Sequence, residues 1–158
     1  VVVLESEIGS AILIESISFD PVDPTSTVFF DEFTIYLGLC GTDELGTDFE
    51  ANYTPGSKTE VFNRTDWTLA AAPDWFAIEL DTPFWYSGSG NLIIDFEWPD
   101  GVDEIYNYNW DTGSNRALYA DFGVPTGTNM TDIPHMLLNG TLSLNQSTFG
   151  KIKTLFSF

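Results

Sequence analysis

Basic residues are scarce in this chain. Among 158 residues there are 5 Lys and Arg against 24 Asp and Glu, for a formal charge of -19. A surface that binds phosphate backbones needs a basic face, and this composition cannot build one. Anionic lipid repels such a chain for the same reason. The deficit is steepest at the start, where eleven acids precede Lys58, the first base. Cysteine is nearly absent as well. Cys40 stands alone, so no intrachain disulfide can form. A small buried thiol is its plainest role, with an interchain bridge or a reactive thiol as alternatives. No apolar run approaches the ~18 residues that would span a bilayer, so membrane insertion is not expected. The start, Val1-Val2-Val3-Leu4-Glu5, has neither a basic leader nor Met, and reads as a processed or trimmed end.

Catalytic sets are missing too. One His (His135) and one Cys leave no zinc-binding set. There is no G-x-S-x-G elbow and no phosphate-cradling glycine pattern. Glu79, Asp95 and Glu97 fall on the polar faces of strands and read as solvated carboxylates. No enzyme activity is expected, and no cofactor apart from calcium. For calcium, acids gather in three turns: Asp20 with Asp23, Asp43 with Asp48, and Asp100 with Asp103 and Glu104. None has EF-hand spacing, so no metal ligands are assigned.

What is present is a core. Hydrophobic residues make up 43% of the chain and aromatics 15%, enough for one domain over residues 1–158. The dominant period is two. Phe33, Ile35, Leu37 and Leu39 alternate with smaller or polar neighbours. So do Phe76, Ile78 and Leu80, then Leu92, Ile94, Phe96 and Trp98, then Tyr106, Tyr108 and Trp110. Such alternation predicts strands with one face on a core. Turn chemistry recurs at Pro55-Gly56-Ser57, Ser87 to Gly90, Pro99-Asp100-Gly101 and Asp111 to Ser114. Together these predict an all-β, jelly-roll-like antiparallel sandwich of about ten strands. Thr42 to Ala51 could hold one short helix.

Val1 to Leu4 is apolar on both faces. It sits either inside the domain's own sheet or in that of a neighbouring copy, as an exchangeable strand over residues 1–6. Val1, Val2, Val3 and Leu4 are therefore the candidate assembly strand. A last strand is expected over 148–158, where Lys151 and Lys153 flank Ile152. Five N-x-[ST] sequons mark Asn52, Asn63, Asn129, Asn139 and Asn145 as glycosylation candidates. Chance predicts roughly two, so the compartment reads as extracellular. Trp85, Tyr86 and Trp110 form a candidate sugar platform.

Three stretches carry a resemblance. They are Glu7-Ile8-Gly9 leading to Ile17-Ser18-Phe19; Leu80 to Ile94, with Phe84-Trp85-Tyr86-Ser87-Gly88-Ser89-Gly90; and Trp110-Asp111-Thr112-Gly113-Ser114 running to Ala120. Over roughly Val1 to Leu138 the chain resembles the jelly-roll-like β-sandwich modules of large secreted and cell-surface prokaryotic proteins. The resemblance implies surface display, adhesion or secretion, and brings no catalytic set. The expected function is a secreted structural subunit of a cell-surface layer or extracellular filament. Copies of the chain would associate by strand addition and edge contacts, with Lys151, Lys153, Arg64 and Arg116 easing the repulsion between them. Assembly would then depend on salt or calcium. The alternative is a carbohydrate-binding or adhesion module.

Overall fold

The computed structural model describes residues 1–142; the strand expected at 148–158 and the Asn145 sequon lie outside them. Strands dominate: β1 Val2–Val3, β2 Ile12–Phe19, β3 Thr27–Cys40, β4 Thr59–Ala70, β5 Phe76–Tyr86, β6 Asn91–Glu97, β7 Gly101–Val102, β8 Asn109–Asp111, β9 Ala117–Tyr119, β10 Thr128–Met130, β11 Asp132–Pro134 and β12 Met136–Leu142. The larger sheet runs β1-β6-β3-β4, with β7 added on β3. The smaller runs β12-β2-β5, and two ribbons, β9 with β10 and β8 with β11, complete the fold. Every strand pair is antiparallel, as the period-two pattern predicts for an all-β sandwich.

The alternating residues meet between the sheets. Ile14 and Ile17 of β2 and Ile78 and Tyr86 of β5 share one buried cluster with Ile35 and Leu37 of β3 and Leu92 and Ile94 of β6. Part of the aromatic content is interior: Phe19, Phe30, Phe33, Tyr53, Phe62, Phe76 and Tyr86 are buried. Phe33 packs against Phe62, Trp67, Phe96 and Trp98, with centroids 5.4–6.3 Å apart. The larger sheet is covered on its outer face too, by a second cluster of Val2, Cys40, Leu45, Tyr53 and Ile93. That explains the unbroken run Leu92-Ile93-Ile94. It also explains β1, where Val3 packs on the main core and Val2 on the second. Cys40 is a buried thiol in that second cluster. Tyr53 reaches it because Gly38 has no side chain; a Cβ there would lie 2.6 Å from the Tyr53 ring.

Two local features depart from expectation. The short helix is α1, Glu5–Ile8, not Thr42 to Ala51, where only a 3-10 turn at Glu50–Asn52 forms. Four residues leave no helical period to detect. The caps are the signal: the Glu7 carboxylate accepts from the Leu4 N–H at 2.9 Å, and Gly9 closes the turn at φ 74°. β5 also breaks its pairing with β2. Ile14 lies opposite Phe84, yet Ser16 lies opposite Glu79. The intervening Leu80 to Pro83 leave β2, which is why a strand tolerates Pro83. There Asp81 turns to β4 and accepts from the Asn63 N–H and from both terminal nitrogens of Arg64.

Candidate functional site

The candidate assembly strand is built into the domain's own larger sheet. Val2 pairs with Ile93 and Val3 with Leu92. Val2 is fully buried, and its carbonyl accepts from Arg116 Nε at 3.2 Å and Nη2 at 3.0 Å. Arg116 in turn forks onto both oxygens of Glu7, and its own carbonyl accepts from the Val2 N–H at 2.8 Å. Arg116 is therefore an interior clamp. The expectation that it eases contacts between copies is corrected: at 5% exposure it has no free face.

The three platform residues do not share a surface. Trp85 is exposed, but Tyr86 is wholly buried and donates its hydroxyl to the Gly90 carbonyl at 2.6 Å. Tyr86 is corrected from platform to core, where burial first, and the Glu5 charge second, push its phenol up. Trp85 lies opposite Leu13, at the start of β2. Trp110 pairs with Ile133, three residues before Met136 meets Phe19 at the end of β2. Six residues of strand, about 20 Å, separate the two ends.

The turn carboxylates accept from nearby backbone and side-chain donors. Asp23 accepts from the Thr25 N–H and hydroxyl, Asp48 from the Ala51 N–H, Asp43 from Asn91 Nδ2 and Asp100 from the Gly101 N–H. The two Thr25 bonds hold the Asp23 carboxyl below its ordinary range. Among the described residues no three His, Cys, Asp or Glu side chains come together in a group able to hold a metal ion. His135 lies 3.5 Å from Asp20.

The sequon amides are engaged to different degrees. Asn52 uses Nδ2 twice, on the Gly46 and Asp48 carbonyls, and Asn139 on the Ser16 and Ser18 hydroxyls. Asn63 reaches Thr34 and Glu32. Asn129 makes one such bond, to the Leu45 carbonyl.

Four features add to or overturn the reading of the sequence. The first is a groove of about 690 Å³ between the end of β6 and the Leu118 to Pro125 segment. Trp98, Tyr119 and Phe122 line it, with Glu50, Asp95 and Glu97. Those three carboxylates converge on Lys58 at 2.6, 3.5 and 3.2 Å. Burial alone would lower the Lys58 ammonium, but its bonds to Glu50 and Glu97 and the Asp95 charge hold it well above its ordinary value. An isolated Lys among eleven earlier acids is the only sequence hint of this centre. The second is a correction: Tyr106, Tyr108 and Trp110, whose alternation predicts one face on a core, are all exposed. The third is β12: Met136–Leu142 contains no charged residue, and among the described residues it pairs only with β2. The fourth is the placement of charge, because all 24 acids lie at or before Asp132.

No protein-family model, no curated protein and no solved structure matches the chain.

Proposed function

We propose that this protein is a structural subunit of an extracellular or cell-surface layer or filament, and that its copies associate along the edge of the smaller sheet. The observation that carries this reading is β12. An edge strand exposes unpaired backbone groups, and soluble proteins blunt such edges with charge, Pro or bulges. In a chain at -19, the seven residues Met136–Leu142 are uncharged. Among the described residues a register shift at Asn139/Gly140 is the one guard. Leu137 and Leu142 stand exposed on this strand, giving a partner apolar contacts beside the ladder. The sequons and the likeness to secreted sandwich modules agree with an extracellular location. Arg64 is forked onto Asp81 and Arg116 is internal, so neither offers a free charge to a neighbour.

Repulsion between highly acidic copies sets the conditions. Raising salt from about 0.1 M to 1 M shortens the screening length from ~10 Å to ~3 Å. Negative-stain electron microscopy with light scattering is expected to find layers or fibres of the purified protein that grow faster in high salt. Leu137→Lys with Thr141→Lys places charge on exposed positions of β12 and should suppress growth without lowering thermal stability. Protein that stays monomeric at every salt concentration sinks the reading. Deleting Val1 to Leu4 should unfold the sandwich, because these residues are part of its own sheet.

A further inference from the structure

We infer that the segment from Tyr106 to Trp110, which bridges Pro21 at Asn107 and runs into β8, is a stacking platform for a neutral, β-linked polysaccharide. The inference is independent of the assembly reading. Tyr106, Tyr108 and Trp110 are 63%, 50% and 61% exposed. Alternation with Asn107 and Asn109 sets the rings on one side of an extended backbone, in a line about 13 Å long. Exposed aromatics normally occur singly; three in a row form an apolar strip that water solvates poorly.

The strip is held in place. The Val22 N–H donates to the Tyr106 carbonyl at 2.8 Å and the Tyr108 N–H to the Asp20 carbonyl at 2.9 Å. The Tyr108 carbonyl accepts from the His135 N–H at 2.7 Å, and Trp110 is paired in the β8–β11 ribbon. Tyr106 donates its hydroxyl to Glu104, and the Tyr108 ring lies 6.3 Å from that of His135. Rings fixed before binding lose little conformational freedom when a ligand arrives.

The chemistry of the rim narrows the ligand. A sugar ring offers C–H groups to an aromatic face and hydroxyls to polar groups around it. Glu104, bonded to the Tyr106 hydroxyl, supplies acceptors beside the strip. That carboxylate, in a chain at -19, repels uronate, sulfate and phosphate, which excludes anionic glycans and nucleic acid. A straight line of rings fits the flat, extended form of a β-linked chain, whereas α-linked glucans coil away from it. The groove beside β6 is a weaker candidate for the same ligand, because three of its carboxylates are committed to Lys58.

The test uses the full chain in depletion binding to microcrystalline cellulose, chitin and β-mannan, with amylose and alginate as comparators. Retention is expected on at least one of the neutral β-linked polymers. Tyr108→Ala and Trp110→Ala should each weaken it about tenfold, or ~1.4 kcal/mol. Tyr108→Phe and Trp110→Phe keep a ring in place and should retain most binding, which separates lost stacking from lost folding. Trp85→Ala, at the far end of β2, should bind as the unaltered protein does. The inference is overturned if none of the neutral β-linked polymers is retained. Preference for alginate or amylose, or a Tyr108→Ala/Trp110→Ala double variant with an unchanged isotherm, also overturns it.

Discussion

Arg116→Ala is expected to lower stability by about 3 kcal/mol, read as a shift in the urea midpoint. The loss has three sources. The buried Val2 carbonyl loses both guanidinium donors. Glu7 loses its fork. β1 keeps only the backbone bond from the Val2 N–H to the residue-116 carbonyl as its tie to the β9 side of the fold. Hydrogen exchange should accelerate first at the Ile94 amide, which donates to the Val1 carbonyl at 2.9 Å. Arg116→Lys keeps the charge without the planar fork, and should fall between the two. A midpoint shift worth under about 0.5 kcal/mol would show that the guanidinium does not hold β1.

The same clamp gives a pH dependence with a fixed sign. The Arg116 hydrogen bond is the largest influence on Glu7. It outweighs partial burial and holds that carboxyl below its ordinary value. A depressed folded-state value contributes stability above the ordinary carboxylate range of about 4.3, and that contribution disappears as pH falls through the folded value. Unaltered protein and Arg116→Ala should therefore differ most near neutrality and converge in acid. A gap that widens in acid would contradict the assignment.

Gly140→Ala is the second large effect, with an expected loss of about 3 kcal/mol. A Cβ at this position would lie 1.9 Å from the Leu13 carbonyl oxygen and 2.9 Å from its carbon. Both obstacles are backbone of the neighbouring strand, so no rotamer change relieves them. β12 and β2 must part at the register shift that Gly140 follows. Gly41→Ala is the control: nothing lies within 4 Å of its Cβ, and it should stay within about 0.5 kcal/mol of the unaltered protein. Equal denaturation midpoints for the two variants would mean that β12 is not closely docked.

The sandwich was legible because its signal is repetitive. Ile35 and Leu37 alternate with Thr34 and Tyr36, and the core takes the first pair. Helix α1 was not legible, because four residues hold no period and its caps are single contacts. Tyr86 was misread because its sequence neighbours, Trp85 and the Gly/Ser turn, look like a loop tip. Its burial follows from strand phase, with the hydroxyl satisfied four residues on at Gly90. Arg116 was misread for a related reason. Composition marks an Arg in an acidic chain as surface charge, while its partners Val2 and Glu7 lie 114 and 109 residues away. The candidate surfaces failed to appear in the sequence for the same cause. Trp98 and Phe122 share a groove only after β6 and the Leu118 to Pro125 segment have met.

The order of these strands along the chain also governs how the protein is made. β2 is among the first strands synthesised, and its partner β12 is the last one described. The Ser18 and Asn139 side chains that bond across them are 121 residues apart. Such pairings put the fold in the slow, non-local class, in which a large loop closes before any contact is gained. Until Met136 to Leu142 arrive, the edge of β2 stands open to any other uncharged strand. In a concentrated population of unfinished copies, the β12 of a neighbour competes with the chain's own. Exchange of that strand between partly folded chains is then a kinetic outcome set by concentration and temperature, and slow dilution is the condition that yields the closed single copy.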